Sequence, residues 1–186
     1  LEVTGYVDEN LAALTKSGTG TIHVTTATGA DIDATNLADA TSIDIGAGTA
    51  SGTAANLATL GPSKITVDAG ATLDVTDYTT QDLAALTNNG TVDVTTTNGA
   101  ALDATKLVNA TEVFIGAGTT ISSTADDVVS FGASKITVAS GGTLQVTSYS
   151  DQDLEDLARN GGTITVTTVD GATLDSTALA KADDIT

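Results

Sequence analysis

The single histidine, His23, and the single arginine, Arg159, set a tight limit on the chemistry this chain can perform. Its 186 residues include no Cys, Met or Trp, which excludes thiol chemistry, disulfides and thiolate metal sites. His23 occupies the middle of Ile22-His23-Val24, an apolar–polar–apolar triplet, and reads as an outward, solvated strand residue. The equivalent positions further along hold Asp93 and Thr165, so the imidazole is not repeated. No Ser-His-Asp arrangement can be assembled around it. Carboxylates are the abundant group, and a pair of them is the one route to cleavage of a polysaccharide. Such clefts hold sugar with aromatics or arginines, and here Arg159 stands alone. The expectation is therefore a protein that is not an enzyme.

Calcium is the more serious ligand. Asp31 and Asp33 flank Ile32, and Asp33, Asp103 and Asp175 recur in the same place in successive copies of a repeat described below. Hard carboxylate oxygens suit Ca²⁺, with extracellular sites of about 10⁻⁴ to 10⁻³ M. Asp31, Asp33, Asp103 and Asp175 are thus the candidate metal ligands. A simpler reading competes with that one. Asp33-Ala34-Thr35, Asp103-Ala104-Thr105 and Asp175-Ser176-Thr177 each precede a leucine-bearing turn, where an Asp caps backbone amides. Capping is the preferred role, no cofactor is required, and calcium is expected chiefly to screen charge.

Charge excludes two partner classes. With 24 Asp plus Glu against 6 Lys plus Arg, the net charge is -18, and no basic patch exists to neutralise phosphates. The same sign opposes the anionic face of a membrane, and no apolar run approaches the ~18 residues of a spanning helix. No signal peptide is visible, and the opening residue, Leu1, suits a mature or excised segment.

The elements that must position these residues come from an internal repeat. Leu1-Glu2-Val3-Thr4-Gly5-Tyr6 returns as Leu73-Asp74-Val75-Thr76-Asp77-Tyr78 and as Leu144-Gln145-Val146-Thr147-Ser148-Tyr149. Ser63-Lys64-Ile65-Thr66-Val67 returns 71 residues later as Ser134-Lys135-Ile136-Thr137-Val138. The unit is 70 to 72 residues long, with partial copies at 1–72, 73–143 and 144–186. Apolar-x-apolar triplets start at Ile22, Ile43, Ile65, Val92, Val113, Ile136, Ile164 and Ile185. Their intervals of 21, 22, 27, 21, 23, 28 and 21 divide each unit into three coils, the third being the longest. β-branched residues alternating with polar ones mark strands.

A glycine-containing corner follows each triplet, then a second short apolar site at Ile32, Leu73, Leu102, Ile121, Leu144 and Leu174, with Ser51 in the position where one coil departs. Next comes an apolar pair spaced by three, among them Leu11/Leu14, Leu37/Ala40, Leu57/Leu60, Leu83/Leu86, Val128/Phe131 and Leu154/Leu157. That spacing puts both side chains on one face of a helical turn. Thr79-x-x-Asp82 and Ser150-x-x-Asp153 read as N-terminal caps. The expected fold over 1–186 is mainly β, a single parallel β-solenoid of about eight coils, with one short helical turn per coil. Ile65, Val67, Ile136 and Val138 are expected inside, Thr66 and Thr137 outside.

In its Thr/Ala/Gly/Asp-rich composition, its strand triplets such as Thr163-Ile164-Thr165-Val166 and its turns such as Asp82-Leu83-Ala84-Ala85-Leu86-Thr87, the chain resembles repeat regions of giant secreted bacterial surface proteins. These are repeat adhesins exported by type I secretion and S-layer-like solenoids. The resemblance implies an extracellular structural module, a scaffold, surface layer, filament or adhesin stalk. The alternative is an extracellular glycan-binding or glycan-cleaving β-helix. The calcium-binding nonapeptide G-G-x-G-x-D of the toxin-like β-roll is absent. Expected partners are like modules meeting end to end through the Leu1 and Ile185 ends, together with cell-surface glycan. A flat threonine array could also order water as ice. The outward middle positions His23, Asp44, Thr66, Asp93, Phe114, Thr137 and Thr165, taken as one rank, are too mixed for it. Asn89-Gly90-Thr91 and Asn109-Ala110-Thr111 match a glycosylation sequon.

Overall fold

The computed structural model describes residues 1–14 and 19–186. Within them the order is β1 (Glu2–Tyr6), β2 (His23–Thr26), β3 (Ala30–Asp31), β4 (Ser42–Ile45), β5 (Thr49–Thr53), α1 (Ala54–Leu60), β6 (Ile65–Val67), β7 (Thr72–Tyr78), β8 (Thr87–Asn88) and β9 (Thr91–Thr96). Then follow β10 (Ala101–Leu102), β11 (Glu112–Ile115), β12 (Thr120–Thr124), α2 (Ala125–Phe131), β13 (Ile136–Ala139), β14 (Thr143–Tyr149), β15 (Ala158–Asn160), β16 (Thr163–Thr168) and β17 (Asp184–Ile185). The fold is mainly β. The strands lie in three sheets, of five, seven and five strands, and every strand pair described below is parallel. This architecture is compatible with a parallel β-helix or solenoid.

Two compact units form. The first comprises Leu1–Asp77, Gln81–Val94 and Asn109–Thr111. Its first sheet runs β1-β2-β4-β6-β8. Val3 faces Val24, Val24 faces Ile43, Ile43 faces Ile65 and Thr66 faces Thr87, steps of 21, 19, 22 and 21 residues. In the second sheet Ala50 lies between Ala30 and Leu73, steps of 20 and 23. The second unit comprises Tyr78–Thr80, Thr95–Val108 and Glu112–Thr186. There Val113 faces Ile136 and Thr137 faces Ala158, steps of 23 and 21. In its third sheet Leu102 faces Ser123, Ile121 faces Leu144, Leu144 faces Ile164 and Val166 faces Ile185, steps of 21, 23, 20 and 19.

The pairing step stays between 19 and 23, so the expected long third interval does not exist. The triplet at Val92 is not the next rung after Ile65, nor Ile164 after Ile136. Leu86-Thr87-Asn88 and Leu157-Ala158-Arg159-Asn160 supply those rungs instead. They lack an apolar-x-apolar signature because the inward contact comes from the leucine that closes the preceding turn. A further consequence concerns the repeat itself. The equivalent strands β1, β7 and β14 belong to the first, second and third sheets in turn, and so do β2, β9 and β16.

Alternation along each strand builds the interior. Val24, Ile43, Ile45, Ile65 and Val67 in the first unit, and Ile115, Ile136, Val138, Leu144 and Val146 in the second, are fully buried. Each such side chain contributes about 1.5–3 kcal/mol relative to an exposed one. Ala50, rather than Ser51, takes the inward place, which corrects the expected break in that coil. Leu174, expected inside, is 61% exposed. Thr66 points outward as expected. Thr137 also leaves the core but is covered, because its hydroxyl donates to Glu112 Oε1 at 2.6 Å.

The spaced-by-three pairs close helical turns. Leu14 donates its amide to the Leu11 carbonyl, and Ala40 to Leu37, Leu86 to Leu83, Leu157 to Leu154 and Ala182 to Leu179 do likewise. Among the described residues, two pairs extend into α-helices, α1 and α2. Their caps are Thr53, which accepts from the Asn56 amide, and Thr124, which accepts from the Asp127 amide. At the shorter turns Asp82 and Asp153 cap directly, accepting from the amides of Ala84 and Glu155.

Candidate functional site

Outward positions of the parallel strands stand in ranks about 4.8 Å apart across strands and about 6.7 Å apart along them. On the first sheet, Glu2, His23 and Ser42 form one rank, and Thr4, Thr25, Asp44, Thr66 and Thr87 the next. His23 Nδ1 lies 2.7 Å from Ser42 Oγ, and its Nε2 lies 3.0 Å from Thr21 Oγ1. An imidazole between two hydroxyls differs from a nucleophile–base–acid triad, whose base leans on a carboxylate. An open groove of about 310 Å³ runs here, lined by Glu2, Thr4, His23, Thr25 and Asp44. Two carboxylates and an imidazole give it polar, acidic character.

The four candidate metal ligands are spread over separate turns. Asp33 Oδ1 accepts from the amides of Thr35 (2.6 Å) and Asn36 (3.3 Å). Asp103 Oδ1 accepts from the Thr105 amide (2.9 Å) and hydroxyl (2.6 Å), and its other oxygen pairs with Lys106 at 3.7 Å. Asp175 Oδ1 accepts from the amides of Thr177 (2.7 Å) and Ala178 (3.3 Å). The Thr105 hydroxyl bond foremost holds the Asp103 carboxyl below its ordinary range, and the Thr177 and Ala178 amides do the same for Asp175. Asp31 stands outward on β3 beside Ser51. All three recurring residues therefore use Oδ1 as a cap. Among the described residues, no three His, Cys, Asp or Glu side chains are grouped to hold a metal ion.

Arg159 is committed as well. Its Nε donates to the Gly162 carbonyl at 2.8 Å and its guanidinium pairs with Asp183, which also accepts from the Ile164 amide. Asn109 of the second sequon donates its side-chain amide to the carbonyls of Ala84 and Leu86, both at 2.8 Å, so it is built into the fold.

Three tyrosines recur at one corner, and all are buried. Each follows a residue in the left-handed region: Gly5 (φ 72°), Asp77 (φ 56°) and Ser148 (φ 57°). That backbone turn breaks the pairing after Thr4 and after Val146 and swings the ring inward. Burial foremost, and then neighbouring carboxylates, raise the Tyr6 and Tyr149 hydroxyls above their ordinary range. Asn36 sits near enough to temper the shift at Tyr6, without meeting the geometry of a full hydrogen bond.

The third sheet carries a surface that the one-rank reading missed. The seven positions taken as a single rank divide among three sheets: His23, Asp44 and Thr66 in the first, Asp93, Phe114 and Thr137 in the second, Thr165 in the third. On β12, β14 and β16 the true ranks are Thr120–Thr143–Thr163 and Ser122–Gln145–Thr165. The signal was the Thr-x-polar-x-Thr pattern of these strands, which only the correct pairing step brings into line. Comparison with protein-family models finds no match to this chain, and comparisons with curated proteins and with solved structures find none.

Proposed function

We propose that this chain is a structural repeat module of a secreted or cell-surface bacterial protein, serving as scaffold, surface layer, filament or adhesin stalk. In this reading it is a parallel β-solenoid with one short helical turn per coil and about eight coils. The observation that carries the proposal is the constant pairing step of 19 to 23 residues in every sheet. A chain that returns to the same sheet at a fixed interval has a fold that lengthens by adding coils, with no singular site needed for its stability. The acidic, cysteine-free composition suits exposure outside the cell, and three of the four candidate ligands, Asp33, Asp103 and Asp175, cap turns. Antibodies raised against the purified chain are expected to label intact producing cells, with the epitope removed by external protease. Labelling only after lysis would sink this assignment.

One observation favours a second reading. The groove over Glu2, His23 and Asp44 is open and polar and offers hydrogen-bonding groups to an extracellular glycan, without an aromatic ring or arginine in its lining. A glycan array probed with the chain and with Glu2→Gln/Asp44→Asn decides it. Binding that disappears in the double variant supports a glycan site, and no binding removes this reading.

A further inference from the structure

We infer that the outer face of the third sheet, over β12, β14 and β16, binds the surface of crystalline ice. Its two ranks, Thr120–Thr143–Thr163 and Ser122–Gln145–Thr165, hold six polar side chains and no charge; the next residue along the second rank is Asp184 of β17, at the sheet's edge. The pairing through both ranks is unbroken, since the shift on β14–β16 comes only after Val146. No protein hydrogen bond engages any of the six side chains among the described residues. They differ in this from the first sheet, where His23 bonds the hydroxyls of both Ser42 and Thr21. Four of the six are threonines, whose branched Cβ restricts rotation, so their hydroxyls and methyls are held in a fixed net.

The occupant follows from that chemistry. Two waters bonded to a common third at tetrahedral angles lie about 4.5 Å apart, given O···O distances near 2.75 Å. The inter-strand spacing of about 4.8 Å is within a few tenths of an ångström of it. A neutral net of donors and acceptors at that spacing complements an uncharged water lattice. Crystalline polysaccharide would call for an aromatic platform, and this face has none: the tyrosines are buried, and Phe114 lies on the second sheet.

The repeat supplies an internal comparison. In the first unit, the equivalent second-sheet positions are Ser51, Asp74 and Asp93, where the third sheet has Ser122, Gln145 and Thr165. Flanking threonines are the same in both copies, Thr72 and Thr91 against Thr143 and Thr163. In a chain of net charge -18, β14 and β16 carry neutral Gln145 and Thr165 where the first-unit copy carries Asp74 and Asp93. The inference needs only the second unit's fold, so it stands or falls separately from the surface-module assignment.

The test is ice recrystallisation in a thin frozen film of the purified chain, with seed-crystal shape as a second readout. The native chain is expected to slow grain growth and to facet the seed. Gln145→Asp/Thr165→Asp restores the charges of the earlier copy at positions that already tolerate them, and is expected to need at least tenfold more protein. Thr143→Tyr, which sets a bulky ring on the net, is expected to do the same, while Thr66→Tyr on the first sheet is expected to match the native chain. Circular dichroism establishes folding for each variant. Native chain no better than an equally acidic non-binding protein, or folded Asp and Tyr variants as potent as native, would overturn the inference. So would sedimentation with microcrystalline cellulose in the absence of any effect on ice.

Discussion

Ser148 shows how one backbone angle fixes a side chain. It holds φ at 57°, a conformation that costs an ordinary residue about 1–2 kcal/mol and glycine almost nothing. Gly5 already occupies the equivalent place before Tyr6. Ser148→Gly is therefore expected to raise stability by about 1 kcal/mol, read as a higher urea midpoint at unchanged slope; a lower midpoint would contradict the account. Asp103 and Asp175 make a second residue-scale case. Their folded pKa values lie below the unfolded value of about 3.9, so their stabilisation is complete above that pH and is lost as pH falls through the lower folded value. Asp103→Asn/Asp175→Asn is expected to melt below the native chain at pH 7 and to converge with it in acid, once the native carboxylates are protonated. A gap that persists undiminished into acid would show that these carboxylates do not act through their charge.

At the scale of elements, the strand triplets were readable because alternation and β-branching speak locally. Ile136 and Val138 lie in the core as their triplet requires, and Ile136→Ala is expected to cost about 2–5 kcal/mol by chemical denaturation. A cost below 1 kcal/mol would place that strand outside the packed interior. The turns were readable too, since Leu83/Leu86 and Leu154/Leu157 announce their spacing. What local pattern could not disclose was which strand meets which. Asn88 and Asn160 look nothing like strand residues, yet they complete rungs because the preceding turn has already anchored the chain. Missing those two rungs placed Val92 and Ile164 in the wrong sheets and hid the threonine net. The capping role of Asp33, Asp103 and Asp175 could be read from the turn that follows each one. The bond between His23 and Ser42 could not, because it depends on a partner 19 residues away. Register can be tested directly, since the chain has no cysteine of its own. Ser51→Cys/Asp74→Cys, lateral neighbours in the second sheet, is expected to form a disulfide under mild oxidation, and Ser51→Cys/Asp77→Cys is not. Equal cross-linking of both pairs would remove the register.

For the whole molecule, charge is the dominant variable. A net -18 on 186 residues repels itself, and melting temperature is expected to rise with sodium chloride as the Debye length shortens. Because the recurring carboxylates serve as caps, millimolar calcium is expected to match a sodium control of equal ionic strength. A clearly larger calcium shift would point to ordered sites and reverse that expectation. The sheet membership of β1, β7 and β14 carries a consequence for descent. A mutation that spreads from one 71-residue copy to the next by recombination arrives on a different sheet each time. Uniformity along one sheet therefore cannot be inherited by copying. The three threonine strands β12, β14 and β16 derive from three different positions of the ancestral unit, so any selection that shaped that surface had to act on each of them independently.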